Sequence, residues 1–128
     1  MIKSPKLKFH DIGYIRHDND TVSLELYSAG NAIETITIDH LICVSNGCMS
    51  KSHFNEEYLN KKYPNNLMKN LLMRKPIFNK TGYQKEENGF SQKIQTKDYS
   101  IIYKVHNNQL YFKDSKNHII LKLKDIDE

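Results

Sequence analysis

The chain has 128 residues, of which 38% are hydrophobic and 27% charged, with a formal net charge of +4 and a mean hydropathy of −0.68. This length serves one core and not two, so a single domain over 1–128 is expected, with 1–5 and 125–128 frayed. The apolar residues fall in periodic blocks, which excludes a disordered chain. No apolar run reaches the length of a membrane span, and no secretory signal peptide is read.

The positive charge does not by itself point to a nucleic acid. Of the 19 basic residues only Arg16 and Arg74 are Arg, whereas bidentate recognition of bases and phosphates favours Arg. The lysines are scattered along the chain, so a solvated basic surface is expected, and no nucleic-acid partner.

Residues 6–16 alternate loosely and end at the turn His17-Asp18-Asn19-Asp20. Val22, Leu24 and Leu26 then alternate with polar neighbours, as in a half-buried strand. Ser28-Ala29-Gly30-Asn31 signals a hairpin, and 32–44 reads as a third strand, long and bent. Ser45-Asn46-Gly47 supplies the next reversal.

From Ser52 the pattern becomes helical. Phe54 and Tyr58 lie four apart, Ser52 is the expected N-cap, and Glu56 and Glu57 fall in the first turn. Pro64 fits a first helical position. Leu67, Met68, Leu71 and Leu72 recur at helical spacing until Pro76. Residues 77–89 read as a loop with room for a short strand at Ile77-Phe78.

Residues 89–124 read as a four-stranded antiparallel meander. Turns at Lys97-Asp98, Asn107-Asn108 and Lys116-Asn117 set Ile94 opposite Ile101, Tyr103 opposite Phe112, Val105 opposite Leu110 and Phe112 opposite Leu121. Side-chain direction has a period of two, so three independent registers agree on one buried face. Gln92 is the polar exception on that face, opposite Tyr103, and needs a hydrogen bond from the Tyr103 hydroxyl or from backbone. On the other face Ile102 and Ile120 flank Lys113, a short apolar row expected to lie under the 67–72 helix or to meet a partner. The fold expected from these elements is mainly β: an antiparallel immunoglobulin-like β-sandwich of about seven strands, with a two-helix insertion at about 52–75 and the meander at about 89–124.

Cys43 and Cys48 are the only cysteines. With the reversal at Ser45-Asn46 they face each other at disulfide range; with it at Asn46-Gly47 they are offset by two and a bond needs a bulge. A disulfide is the favoured outcome and implies an oxidising compartment. Their spacing lacks the second ligand pair of a zinc site, and the six histidines offer no ligand pair at helical spacing. Cys48 and His53 supply no oxyanion site for nucleophilic catalysis. No catalytic residue, metal or cofactor is therefore expected. A pocket between helices and sheet, lined by Phe54, Tyr58, Met68 and Leu72, is the alternative for a small-molecule or lipid ligand.

The stretch from Cys43 through Cys48 and Phe54 to Tyr58-Leu59, together with Tyr63-Pro64, Lys75-Pro76-Ile77-Phe78, Gly89-Phe90-Ser91-Gln92 and Phe112-Lys113-Asp114, resembles small outer-membrane lipoproteins of the Campylobacter–Helicobacter group. In these an immunoglobulin-like sandwich variant carries added helices. The resemblance implies a non-enzymatic envelope protein with a structural or interaction role, partnered by a protein or envelope component. It also implies a lipid-bearing cysteine just upstream of Ile2, a position that neither Cys43 nor Cys48 occupies.

Overall fold

The computed structural model describes residues 2–5, 8–9, 13–28 and 31–125. In chain order its elements are β1 (Ile2–Lys3), β2 (Lys8–Phe9), β3 (Gly13–Asp18), β4 (Thr21–Ser28), β5 (Asn31–Ile38), β6 (Ile42–Val44) and β7 (Gly47–Met49). Two helices follow, α1 (Lys51–Tyr58) and α2 (Leu67–Leu72), and then β8 (Tyr83–Glu86), β9 (Gly89–Gln95), β10 (Ser100–His106), β11 (Gln109–Asp114) and β12 (Ile119–Asp125).

All strands join one sheet in the order β7-β6-β5-β4-β3-β12-β11-β10-β9-β8, with β1 paired to β12 and to β2. It consists of two antiparallel meanders, β3–β7 and β8–β12, fused where β12 meets β3. Among the described residues that is the one parallel pairing, with Leu123 beside Gly13 and Asp125 beside Ile15. The other half of the same β12 edge pairs with β1, Ile2 facing Leu121. A side chain at position 13 would crowd this junction, since a Cβ there would stand 2.8 Å from a Leu123 methyl. The expectation of a mainly β fold is met. The hydrogen-bonding differs from two separate sheets, because the β12–β3 ladder makes the sheet continuous.

The C-terminal meander has the registers read from the sequence: Ile94 faces Ile101, Tyr103 faces Phe112, Val105 faces Leu110, and Phe112 faces Leu121. Alternation then buries Phe90, Gln92 and Ile94 on β9 and Ile101, Tyr103 and Val105 on β10. Val22, Leu24 and Leu26 do the same on β4, and both inner faces contribute to one core with Phe54, Leu67, Met68, Leu71 and Leu72 from the helices.

Several boundaries differ from expectation. The long third strand is broken: the chain reverses at Asp39-His40-Leu41, so that Thr37 faces Cys43 and Ile38 faces Ile42. Asp39 donates its N–H to the Leu41 carbonyl at 3.0 Å, closing the turn that a continuous Ile/Thr/Val run concealed. Helix α1 starts earlier, at Lys51. Its N-cap is Ser50, whose hydroxyl accepts the His53 N–H at 3.1 Å, so Ser52, Glu56 and Glu57 all lie past the expected places. Pro64 does not open α2; its carbonyl accepts the Leu67 N–H in the turn before it. Residues 83–86, expected as loop, form β8 on β9, and Ile77-Phe78 lead into a tight turn instead of a strand. Ile2 was expected to fray, yet it pairs with β12 and is fully buried. The Ala29-Gly30 turn and the tail beyond Asp125 lie outside the described residues.

Tyr63 and Tyr103 are in the core, and both phenols are held above the ordinary tyrosine pKa of about 10, chiefly by burial. For Tyr63 the hydrogen bond to Asp114 adds to the effect. The unfolded chain gives up both protons near pH 10 while the folded chain keeps them. Stability from these groups is therefore complete below pH 10 and falls as the pH rises further, by up to ~2.7 kcal/mol per pH unit for the pair. An alkaline titration is expected to unfold the protein with a step in phenolate absorbance. If all eight tyrosines ionised while the β-sheet circular dichroism persisted, this account would be wrong.

Candidate functional site

The cysteines lie on the β6–β7 hairpin. The reversal is at Ser45-Asn46, and Gly47, with φ 134°, absorbs the tight return. Cys43 and Cys48 are therefore directly opposite, with Cα atoms 3.9 Å apart, and form a disulfide. Glu34 on β5 fixes the hairpin tip by accepting the Ser45 N–H at 2.8 Å and its hydroxyl at 2.7 Å.

Gln92 closes a different structure. Its carboxamide oxygen accepts the Ile77 N–H, and its NH₂ donates to the Ile77 and Thr81 carbonyls, each at 2.8 Å. Ile77 thus pairs with a side chain as it would with a neighbouring strand. The three bonds bracket Phe78, Asn79 and Lys80, which occupy the left-handed region at φ 49°, 54° and 63°. For Phe78 and Lys80 this costs roughly 1–2 kcal/mol each, whereas Asn79 tolerates it better. The Phe78 ring helps to hold the turn, standing 4.9 Å from Tyr99 and 6.4 Å from Tyr63.

Asp114 is the buried charge, at 0% exposure on the inner face of β11. One carboxylate oxygen accepts the N–H groups of Ser100, Lys116 and Asn117. The other accepts the Tyr63 hydroxyl at 2.5 Å and the Asn117 side-chain amide at 2.6 Å. This arrangement ties the β11–β12 turn, the start of β10 and the α1–α2 connection together. The alternation Leu110, Phe112, Asp114 puts this carboxylate on the apolar face, a signal present in the sequence itself.

These polar groups are engaged inside the fold. The solvent-facing chemistry is on the outer face of the C-terminal meander. There the registers align one row as Lys3, Ile120, Lys113, Ile102, Lys93 across β1, β12, β11, β10 and β9. The next row reads Lys122, Tyr111, Lys104, Ser91, and Lys124 begins the third, opposite Gln109. Across β9–β12 each lysine faces Ile, Tyr, Ser or Gln, which avoids the like-charge cross-strand contact, whereas Lys3 on β1 also stands opposite Lys8 of β2. Lysines scattered along the sequence thereby share one face of the meander. Period-two alternation and antiparallel register do the gathering.

Ile102 is 38% exposed and Ile120 half-buried. Helix α2 does not cover this row, because Leu67, Met68, Leu71 and Leu72 all point into the core on the opposite side of the sheet. Three shallow depressions mark the face. One of about 390 Å³ lies among Lys104, His106, Tyr111, Lys122 and Lys124. Another, of about 210 Å³, lies among Lys93, Ile102 and Lys113. The third, of about 310 Å³, lies at the edge among Glu86, Glu87, His106 and Asn107. Among the described strand residues the carboxylate on this face is Glu86, 2.6 Å from the His106 ring. The His106 contact, with Lys104 nearby, holds the Glu86 carboxyl below the usual range. Ile102, Lys113 and Ile120 therefore belong to one surface. Phe54, Met68 and Leu72 are instead fully buried in the core, with Tyr58 packed against it, and the depressions described above are lined by other residues.

No protein-family model, curated protein or solved structure matches the chain.

Proposed function

We propose that the chain is the soluble part of a non-enzymatic cell-envelope lipoprotein that acts by contact, and that the outer face of the C-terminal meander is its contact surface. The observation that carries this reading is the ordered lysine face, in which Ile102 and Ile120 alternate with Lys3, Lys113 and Lys93. The Cys43–Cys48 disulfide supports an oxidising compartment. The sequence resemblance adds the outer membrane and an N-terminal lipid anchor. The core shared by the two meanders is the packing relation that an immunoglobulin-like sandwich needs, and this finer fold belongs to the same reading.

Labelling of unreduced native protein in isolated envelopes tests the reading. Thiol reagents are expected to find no reactive cysteine. Amine reagents are expected to modify Lys93, Lys104, Lys113 and Lys124 readily in purified protein and much less in envelopes. Two reactive thiols would remove the compartment argument, and equal amine labelling in both samples would remove the contact surface.

A further inference from the structure

We propose that the lysine face docks on an anionic lipid surface; this deepens the contact reading above by naming what the face meets. Among the described residues the strands of this face present Lys3, Lys93, Lys104, Lys113 and Lys124 against the carboxylate of Glu86, which is already held by His106, and that of Glu87 in the adjoining turn. The partner is therefore anionic by charge complementarity. Its shape follows from the sheet. Five strands side by side, spaced at about 4.8 Å, make a wall roughly 19 Å across with only shallow depressions, matched to a broad surface and not to an inserted chain. Lysine suits such a surface because its ammonium is a point charge on a flexible apolar stem, which lies along Ile102 and Ile120 while the charge reaches the headgroups.

The same residues disfavour the other anionic and macromolecular partners. Single-stranded nucleic acid needs open aromatic faces on which bases stack, and the aromatic ring of this face, Tyr111, has the Lys122 ammonium 5.6 Å from its centroid. Base readout uses Arg or amide forks, and the face has no Arg. The cores of protein interfaces are depleted in Lys and enriched in aromatic residues and Arg. A bilayer leaflet rich in phosphate headgroups takes a lattice of lysines with small apolar residues between them, each lysine near such a surface contributing about fivefold in partitioning.

Co-sedimentation of the purified chain with vesicles tests this. Binding is expected to vesicles containing phosphatidylglycerol, not to pure phosphatidylcholine, and to be released by salt. The triple variant Lys93→Gln, Lys104→Gln, Lys113→Gln is expected to lower partitioning about a hundredfold. Lys51→Gln, Lys61→Gln, Lys62→Gln, which removes equal charge from the helical segment, should leave it near the wild-type level. Ile102→Ser should weaken it several-fold with charge unchanged. Circular dichroism checks that each variant folds.

Equal loss in both triple variants would overturn the proposal in favour of net charge alone. Tighter binding to an oligonucleotide than to the anionic vesicles at the same salt would overturn it in favour of nucleic acid. Protection of the lysines in envelopes without vesicle binding would sink the lipid proposal and leave the contact reading standing. Vesicle binding without protection would do the reverse.

Discussion

Replacing Asp114 by Ala is expected to lower the unfolding free energy by about 3–5 kcal/mol, the range for breaking a buried, fully hydrogen-bonded charge site. The carboxylate accepts five hydrogen bonds, three of them from backbone N–H groups and one from a buried tyrosine. Truncation leaves those donors facing an apolar void. The N–H groups of Lys116 and Asn117 sit in an exposed turn and can recover water; Tyr63, at 4% exposure, cannot. Asp114→Asn separates hydrogen bonding from shape. Its oxygen can still accept the three N–H bonds, while its NH₂ opposes the Asn117 amide and must turn Tyr63 from donor to acceptor. A loss of about 2 kcal/mol is expected for it. Urea denaturation followed by circular dichroism reads both values. A loss under 1 kcal/mol for the alanine variant would show that the carboxylate is not the hub described above.

The second large effect is expected at Gln92. Leu fills similar volume but makes none of the three hydrogen bonds to Ile77 and Thr81. An unsatisfied buried group costs roughly 1–3 kcal/mol, and part of the loss is returned as the left-handed turn relaxes, so a net loss of about 3 kcal/mol is expected for Gln92→Leu. Amide hydrogen exchange at Ile77 should accelerate more than exchange in β4, because the turn opens before the sheet does.

Gln92→Glu gives a sharper test. The introduced carboxylate would face the Ile77 and Thr81 carbonyls, where NH₂ now donates. The charged form is penalised by burial and by those carbonyls, so the folded pKa is raised above the unfolded value of about 4.3. With a raised folded pKa the variant is most stable below pH 4.3 and loses stability as the pH rises through the folded pKa. Its deficit relative to wild type should therefore shrink in mild acid, and a pH-independent deficit would contradict the geometry.

Much of the C-terminal half was legible before the structure because its information is local. Each of its turns joins strands adjacent in sequence, so one alternating pattern specifies register, buried face and cross-strand partners together. Gln92 could be named as an exception on that basis, although its partner could not. Ile77 lies 15 residues away through a turn with three left-handed residues, a conformation that propensity favours for Asn79 but not for Phe78 or Lys80. The candidate site was half legible. Alternation within the meander sets Lys93, Lys104, Lys113, Lys122 and Lys124 on one outer face with Ile102 and Ile120, whereas Lys3 joins it only through the long-range β1–β12 pairing.

The sequence by itself determined the meander, the apolar content of the helices, and a hairpin able to bring Cys43 and Cys48 together on one of its two registers. Its alternation, turn residues and helical spacing are short-range constraints. Only the tertiary structure decided that the two meanders fuse through a parallel β12–β3 pair, that β1 lies on the remaining half of that edge, and that the helices cover the inner face alone. Those outcomes depend on ends of the chain more than a hundred residues apart. Burying one shared core selects them: Gly13 permits the close junction, Ile2 is fully buried beside Leu121, and the lysine face is the side turned away from that core.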